Sequence, residues 1–374
     1  MSYFKKTGPF RIDQQFLAGG SFSNWIHLLR ENGGIDWRYF TRSLYVSAIT
    51  LLSAPFRTYE AARFGDAIRR TEITEPPIFI LGHWRSGTTY VMRMLAQNPD
   101  FAVVTFVHTM IPGLYLGSPI FRAILSGSLP EKRPMDNVKV APDEAEEEEY
   151  ALGNLSPYSF YHALTFPRKM REIFDKNVLF EGVDASVIEQ WKAVYCYFLK
   201  KITYSSGNKR LLLKNPANTA RIPVLLEMFP DAKFIHICRN PYVVYSSTMN
   251  WLDKEMLPIA LQDVDEAAVH ENALVNYEKL MHRYLADRHL IPEGNLIEIK
   301  FEDFEGDPLG MTERIYATLG LELAAETRAR MGTYLASVAN YRKNRYQLDP
   351  QRRREISERW GFAVQTWHYP PPQV

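Results

Sequence analysis

The sequence predicts an α/β fold in which a parallel sheet of about five strands is flanked by helices and interrupted by a large, mostly helical insertion. Two observations carry this prediction. Short runs rich in Val, Ile, Leu and Phe recur along the chain, as expected of strands buried on both faces of a parallel sheet. Stretches with helical periodicity separate these runs, and strands that alternate with helices form parallel sheets. The predicted strands are Ile78–Gly82, Ala102–Phe106, Arg210–Lys214, Lys233–Cys238 and Leu296–Phe301.

Two predicted helices connect these strands. Between the first two runs, Thr88–Asn98 has apolar residues at four-residue spacing and is ended by Pro99-Asp100. Between the third and fourth runs, apolar side chains share one face of a helix that ends at Pro230-Asp231. Ligands of such sheets bind at the loops that follow the carboxyl ends of the strands, so we expect the functional site there.

Composition narrows the class of protein. The chain has 374 residues, of which 46% are apolar and 23% charged, which excludes disordered, collagen-like and coiled-coil proteins. Lys and Arg number 44 against 43 Asp and Glu, so we expect no nucleic-acid partner and only a local anion site. The two cysteines are too few for a disulfide framework, and the first 20 residues lack the apolar stretch of a secretory signal. We therefore expect a cytoplasmic protein; no pattern indicates its oligomeric state.

We interpret residues 1–374 as a single domain, because the chain has neither internal repeats nor a low-complexity linker. Residues 1–75 are predicted to be helices packed outside the sheet, and residues 76–322 the α/β core. Residues 107–209 form the predicted insertion, which we expect to cover the substrate, and residues 323–374 form a basic C-terminal segment.

The loop after the first strand has the composition of an anion site. It runs from Gly82 to Gly87, between a buried strand and a helix that starts at Thr88, so backbone N–H groups and the positive end of a helix dipole meet there. The G-x-x-x-x-G spacing matches nucleotide-triphosphate loops, but Thr88 stands where those loops carry Lys, so Arg85 must supply the charge. The alternative is an ordinary strand-to-helix turn. The predicted ligand contacts are Arg85, Ser86, Gly87, Thr88 and Thr89.

A second anion site is predicted after the fourth strand. Arg239 ends that strand, Asn240 is a suitable helix cap, and Pro241 suits the first helical position. Ser247 lies on the helix that follows. A guanidinium fork with a nearby hydroxyl suits a second phosphate, although an Arg in this position can equally form a surface ion pair.

Together these stretches resemble the two signatures of the sulfotransferase family. Arg85–Thr89 is similar to the loop that binds the 5′-phosphosulfate, and Arg239 with Ser247 is similar to the 3′-phosphate site. The resemblance continues through Leu211–Pro216 and Glu302–Pro308 and covers residues 76–322. It implies a sheet like that of P-loop nucleotide-binding proteins and, as co-substrate, 3′-phosphoadenosine 5′-phosphosulfate without a metal. The implied activity is transfer of a sulfuryl group to a hydroxyl of a lipid, glycan or small molecule.

Charge develops on the sulfuryl and leaving oxygens during this reaction, so cations aimed at them lower the barrier. Arg85 and Lys214 follow predicted strands that are neighbours, and we predict both to be catalytic; the alternative for Lys214 is a surface lysine. Arg85 replaces the Lys of the small-molecule branch and is similar to the bacterial, carbohydrate and tyrosyl-protein branches. Arg342 and Lys343 resemble a late basic segment that completes the 3′-phosphate site, or form a solvated turn.

The base that accepts the proton of the acceptor is left open by the sequence. The small-molecule branch carries a His two residues after the strand-end Lys, but here Pro216 occupies that position. One candidate is His108, just beyond the second strand, because an imidazole is suitably basic near neutral pH.

The other candidates are Glu147 and Glu149, in the acidic run Asp143–Tyr150. Asp143 and Glu146 predict a capping box at the start of a helix, where the helix dipole favours acidic residues. Most of the run is therefore expected to be solvated, with one or two carboxylates facing the substrate.

Residues 43–56 carry no charge and are flanked by Arg38, Arg42, Arg57 and Arg63. Their 14 residues fall short of the roughly 20 that a helix needs to span a bilayer. The segment either lies on a membrane surface and delivers a lipid acceptor, or is a core helix.

Two other functions fit parts of the pattern. A P-loop kinase or nucleotide hydrolase would share the sheet, but the loop lysine is missing and no Asp at a strand end is placed for magnesium. A noncatalytic anion-binding or membrane-surface protein would bind the donor nucleotide without consuming it.

Overall fold

A computed structural model describes residues 15–128, 141–339 and 348–370. The chain forms two compact units. The first, here called the helical unit, comprises Met1–Thr74, Val104–Asn208 and Trp251–Asn272. The second, the sheet unit, comprises Glu75–Val103, Lys209–Asn250 and Ala273–Val374. The interpretation of the whole chain as a single domain stays a prediction.

The sheet unit is built on five parallel strands, as the sequence predicts. Their order across the sheet is β2-β3-β1-β4-β5, so the first strand lies in the centre and is buried along its whole length. The strands are β1 (Ile78–Leu81), β2 (Phe101–Val103), β3 (Arg210–Lys214), β4 (Lys233–Cys238) and β5 (Leu296–Lys300).

The register of the central strands brings three loops to one edge of the sheet. Ile80 of β1 pairs with Lys214 of β3 on one side and with Ile235 of β4 on the other. Because the strands are parallel, the segments that follow β3, β1 and β4 all leave at the carboxyl edge. These are the segments on which the sequence places its predicted cations.

Helices account for most of the remaining described chain. In the first half they are α1 (Phe22–Glu31), α2 (Phe40–Leu52), α3 (Ala54–Arg70), α4 (Thr88–Leu95), α5 (Phe106–Met110), α6 (Pro119–Ser128), α7 (Glu148–Leu155), α8 (His162–Thr165), α9 (Met170–Asn177) and α10 (Ala185–Ser206). In the second half they are α11 (Ile222–Met228), α12 (Pro241–Ile259), α13 (Glu266–Asp287), α14 (Phe301–Gly306), α15 (Pro308–Thr318), α16 (Ala325–Val338), α17 (Pro350–Arg359) and α18 (Gly361–Thr366).

The third and fourth strands begin and end where the sequence predicts, and α4 and α11 confirm the two connecting helices. The second predicted strand is wrong in its second half, because β2 ends at Val103 and Phe106 already begins α5. The amide of Phe106 donates to the Glu144 carbonyl at 3.0 Å, and that of Thr105 donates to His108 Nδ1 at 3.1 Å. These residues therefore hydrogen-bond within the helical unit instead of extending the strand. Phe301 likewise starts α14 and does not end β5.

The helical unit contains a buried ion pair between Lys201 of α10 and Glu60 of α3, each with a side chain 4% exposed. Glu60 also accepts the backbone N–H groups of Leu116 and Gly117, both at 2.7 Å. Lys201 donates to the carbonyl of Pro112 as well. The pair thus joins two helices to the loop that follows α5.

Across the ranges that the structure describes, none of the helices combines the length and the apolar character needed to cross a membrane.

Candidate active site

The loop after β1 needs glycine at both ends. Gly82 has φ +136°, and a Cβ there would lie 2.5 Å from the carbonyl oxygen of Ile237. Gly87 has φ +97°, and its Cβ would lie 2.0 Å from the ring of Phe301. Both positions therefore exclude any larger residue. Arg85 between them has φ +69°, a left-handed conformation that is unusual for a residue with a side chain.

This tight turn leads directly into α4. Gly87 is the N-cap of the helix, and the Ser86 amide donates to the His83 carbonyl at 3.1 Å, which closes the turn. Ser86 and Thr88 are buried, and Thr89 is half-buried. The loop therefore presents the first amides of a helix, which are not used by intrahelical hydrogen bonds, to any anion bound there.

The segment after β3 holds this loop in place. Thr219 Oγ1 accepts the Gly82 amide at 2.8 Å and lies 3.2 Å from the Gly82 carbonyl oxygen, to which it donates. Thr219 belongs to a buried 3₁₀ turn, Pro216–Ala220, which is capped by the Asn215 side chain at the Ala217 amide. Thr219 was not predicted from the sequence; its one signal there is its position just after the Lys214-Asn215-Pro216 segment.

Arg85, Arg239 and Ser247 are in direct contact. Arg85 Nε donates to Ser247 Oγ at 3.0 Å, and Arg239 Nη1 donates to the Arg85 carbonyl at 3.1 Å. The guanidinium of Arg239 also lies over the Phe301 ring, 4.4 Å from its centroid, and this is the ring that packs on Gly87. The two predicted anion-binding segments are thus one continuous cluster at the carboxyl edge of β1 and β4.

Two further polar groups bear on whether this edge fits an anionic ligand. Ser86 is 2% exposed, and its hydroxyl has no hydrogen-bond partner among the described residues. A buried polar group without a partner costs about 1–3 kcal/mol, so a ligand oxygen at this position would be favourable. Lys214 ends β3 and is fully buried, so its interpretation as a surface lysine is wrong. The residues present therefore fit a doubly phosphorylated nucleotide.

The turn that carries Arg239 is supported from α14 and the C-terminal segment. The Asn240 amide donates to Glu302 Oε1 at 3.1 Å, and the Tyr369 hydroxyl donates to Glu302 Oε2 at 2.9 Å. Burial raises the pKa of Tyr369 above its usual range and that of the Cys238 thiol to about 12, so neither ionises near neutral pH. Glu302 was noticed in the sequence only as part of a motif, and its partner Tyr369 was missed.

His108 lies in α5 of the helical unit. Its Nδ1 accepts the Thr105 amide, and its ring packs against Tyr115 with 4.5 Å between centroids. Burial, followed by the charges of Lys201 and Arg122, lowers the pKa of His108 to about 4. The imidazole is therefore neutral at pH 7 but only weakly basic.

The acidic run differs from its predicted arrangement. The capping box is wrong, because α7 begins at Glu148 and Asp143 forms an ion pair with Arg122 at 2.7 Å. The expected solvation is also wrong, because Glu148 and Glu149 are completely buried. Their burial is explained by donors from the same unit: the Tyr195 hydroxyl donates to Glu148 and the Phe160 amide to Glu149, both at 2.8 Å.

Glu147, the N-cap of α7, is the half-buried carboxylate of this group. It accepts the hydroxyl of Tyr161, which stacks on Tyr150 with 3.9 Å between ring centroids. Burial, and next the charge of Glu147, raises the pKa of Tyr161 well above its usual value. Glu147 thus has a partly exposed carboxyl group beside a neutral phenol.

Arg342 and Lys343 lie outside the described residues. Among the residues that are described, no group of three or more His, Cys, Asp or Glu side chains could hold a metal ion; the expected independence of metal stays a prediction.

Comparison with known proteins adds independent findings. The sequence model of the sulfotransferase family matches residues 76–325. The chain is 31% identical over 354 residues to omega-hydroxy-beta-dihydromenaquinone-9 sulfotransferase Stf3 of Mycobacterium bovis and of Mycobacterium tuberculosis, covering 94% of this chain and 90% of the relative. Sulfotransferase STF1 of M. tuberculosis superposes with a TM-score of 0.65 at 19% identity, over 94% of this chain and 93% of that one. Sulfotransferase STF9 of Mycobacterium avium gives 0.66 at 20%, over 93% and 96%.

Proposed function

The chain belongs to the sulfotransferase family, and from this premise we propose which of its residues hold the donor, which assist the transfer and what kind of acceptor it takes. The enzyme transfers a sulfuryl group from 3′-phosphoadenosine 5′-phosphosulfate to a hydroxyl. The observation that carries the proposed site is the contact of Arg239 with the Arg85 carbonyl and of Arg85 with Ser247, at the shared edge of β1 and β4.

The donor is proposed to bind along this edge of the sheet unit. The loop Arg85–Thr89 supplies amides at the start of α4, the Ser86 hydroxyl and the Arg85 guanidinium to the 5′-phosphosulfate. Arg239 and Ser247 supply a charged fork and a hydroxyl to the 3′-phosphate. Support comes from the way these groups are held: Thr219 fixes the loop at Gly82, and Phe301 fills the space between Gly87 and Arg239.

Bound donor supplies an activated sulfuryl group whose leaving oxygen is a phosphate. Arg85 and Lys214 are proposed to hold positive charge beside the oxygens on which negative charge grows. Lys214 is suited to this because its burial lowers the effective dielectric around the ammonium, which strengthens its interaction with a nearby anion. Loss of one such donor typically lowers turnover by about 10²–10³-fold.

Glu147 is proposed as the base that accepts the proton of the acceptor hydroxyl. It is half-buried, whereas Glu149 is fully buried and accepts the Phe160 amide. His108 is weakened as a base by its low pKa and already uses Nδ1 to accept the Thr105 amide. His108 and Glu149 stay sequence predictions whose contacts favour structural roles.

The acceptor is proposed to be a hydroxyl on a long apolar molecule, and the reaction to take place in the cytoplasm. The relative Stf3 is named for its action on an omega-hydroxy dihydromenaquinone, and the similarity to it extends over nearly the whole of both chains. This choice narrows the wider set of lipid, glycan and small-molecule acceptors that the sequence allows.

The test incubates the purified full chain with ³⁵S-labelled donor and an acceptor panel of hydroxylated quinones and prenols, sugars and simple phenols. We expect label in the apolar hydroxyl pool, and Arg85→Ala to lower the rate by about 10²–10³-fold. Label only in the sugar pool would overturn the acceptor. A chelator control distinguishes a kinase, which would lose all activity with its magnesium, from sulfuryl transfer, which is expected to continue.

A further inference from the structure

Helix α2 of the helical unit has its polar and apolar faces in the reverse of the usual arrangement. Its buried residues include Arg42, Ser43 and Thr50. Arg42 is completely buried, and its Nη1 donates to the carbonyls of Ala260 at 2.7 Å and Leu257 at 3.2 Å. The side chains that face solvent are instead large and apolar. A surface helix of a globular protein normally shows the opposite pattern.

These exposed side chains form an apolar patch that continues into α3. Leu44 is 56% exposed, Leu52 is 70% exposed, and Trp37, just before α2, is 89% exposed. Single exposed apolar residues are ordinary, but several on one helix and its neighbour mark an interaction surface. We define the apolar patch by Trp37, Phe40, Leu44, Leu51, Leu52 and Phe56.

A third helix extends the patch. The ring of Phe56 packs edge-to-face against Phe121 of α6, with 5.1 Å between centroids. On the same helix Ile120 is 64% and Ile124 is 62% exposed. The exposed apolar surface therefore spans three helices of one unit, and is not confined to residues 43–56.

The charge around the patch is positive. Residues 37–70 contain six arginines and two carboxylates, in a chain whose overall net charge is +1. Glu60 is in its buried pair with Lys201 and Asp66 pairs with Arg69. Of the other arginines, Arg42 is buried and Arg38 pairs with Asp263. Arg63 and Arg70 are exposed on α3. The patch is thus bordered by cationic side chains.

We propose that the apolar patch is a membrane-docking surface, and that its occupant is the interfacial region of a bilayer rich in anionic phospholipid. Apolar side chains enter the acyl boundary while arginines contact phosphate, as in interfacial helices of other peripheral proteins. The exposed Trp37 suits the headgroup level, where tryptophan is enriched. A second copy of the chain fits less well, because symmetric contact would bring two sets of arginines together. This inference does not depend on the proposed sulfuryl transfer.

The test floats the full chain with vesicles of equal parts phosphatidylcholine and phosphatidylglycerol, and with phosphatidylcholine alone. We expect the protein to float with the anionic vesicles. Leu44→Glu/Leu52→Glu is expected to weaken partitioning by more than about tenfold, because two exposed apolar side chains that would enter the bilayer are lost. Arg63→Gln/Arg70→Gln is expected to weaken it by about fivefold per arginine, on anionic vesicles only and less at high salt. Leu290→Glu, an exposed leucine in the sheet unit, is the matched control and should float as the parent does.

A fluorescence measurement keeps the proposal testable if the Leu44→Glu/Leu52→Glu variant fails to fold. Trp37→Phe alters a side chain that is almost fully exposed, so the fold is expected to be unaffected. Lipids with a quencher at the acyl boundary should lower the fluorescence of the parent more than that of Trp37→Phe. Parent protein that stays at the bottom with anionic vesicles, or equal quenching of the two proteins, overturns the proposal. The proposal is also overturned if light scattering shows that the parent is a dimer, that the Leu44→Glu/Leu52→Glu variant is a monomer, and neither protein floats. The occupant of the patch would then be a second copy of the chain.

Discussion

The carboxyl edge of the sheet and the acidic segment at the start of α7 both concentrate charge, but they hold it in different ways. At the sheet edge, Arg85 contacts a hydroxyl, and Arg239 contacts a backbone carbonyl and an aromatic ring. In the acidic segment, Glu148 and Glu149 are buried against dedicated donors of their own unit. The first arrangement holds two guanidinium groups at the edge where the nucleotide is proposed to bind, whereas the second packs carboxyl groups into the interior of the helical unit.

Within the acidic segment, Glu147 is partly exposed whereas Glu148 and Glu149 are buried, and a substitution of Glu147 is expected to have the largest effect on turnover. Glu147→Gln keeps an oxygen that accepts the Tyr161 hydroxyl but removes the basic carboxylate, so turnover should fall by about 10²–10⁴-fold. The measurement is the single-turnover rate with saturating donor and acceptor. Glu149→Gln is the control and should change the thermal midpoint more than the rate. If Glu149→Gln lowers the rate while Glu147→Gln does not, the assignment of the base is wrong.

A substitution in the buried Lys201–Glu60 pair measures how much this ion pair contributes to the stability of the helical unit. Lys201→Met leaves the Glu60 carboxylate buried without its counter-ion, which should lower the free energy of unfolding by about 3–5 kcal/mol. Denaturant titration of the full chain measures this change. The exposed pair between Arg330 and Glu326 is the matched control, where Arg330→Met should cost less than about 1 kcal/mol. Equal losses would mean that burial does not distinguish the two pairs.

A smaller effect on the free energy of unfolding is expected when the pH is lowered. Burial is the largest cause that lowers the pKa of His83 and His236 in the sheet unit, and of His108 in the helical unit, to about 4. Their ordinary value is near 6.5, so the unfolded chain binds protons that the folded chain does not, and stability is lost as pH falls from about 6.5 towards 4. Each histidine contributes a slope of at most about 1.4 kcal/mol per pH unit.

The variant His236→Phe tests the contribution of one of these histidines to the pH dependence of stability. His236 stacks between Tyr284 and Trp367, with 3.8 Å and 5.5 Å between ring centroids, so a phenyl ring fits the same stack. The pH dependence of unfolding should become shallower in this variant between pH 6.5 and 4. An unchanged slope would show that the ring of His236 titrates alike in the folded and unfolded chains.

The same contrast explains what the sequence could predict. At the sheet edge, strand periodicity and two glycines determine local geometry, so the loop 82–87 and the position of Arg239 followed from short stretches of sequence. In the acidic segment, geometry depends on partners far along the chain: Tyr195 lies 47 residues from Glu148. Local rules therefore predicted a solvated, capped helix start where tertiary contacts bury the carboxylates. Thr219 and Tyr369 were missed for the same reason, since each acts on a loop distant in sequence.

Helices α2 and α6 show a further limit of prediction from hydrophobic periodicity. Residues 43–56 could be identified as uncharged, but not which side of α2 would face solvent, because Arg42 reaches carbonyls more than 200 residues away. Only the structure places Leu44 and Leu52 outside, and adds α6 to the same apolar surface.

Arg85 and Arg239 are proposed to belong to one nucleotide site, and this can be measured by titration calorimetry with 3′,5′-bisphosphoadenosine at fixed salt. We predict that Arg85→Ala and Arg239→Ala each weaken binding by about tenfold or more, since each removes charge-assisted hydrogen bonds to a phosphate. Arg330→Ala, at an exposed arginine of α16 that pairs with Glu326, should bind as the parent does. Parent-like affinity in both the Arg85→Ala and the Arg239→Ala proteins would show that these two arginines do not hold the nucleotide.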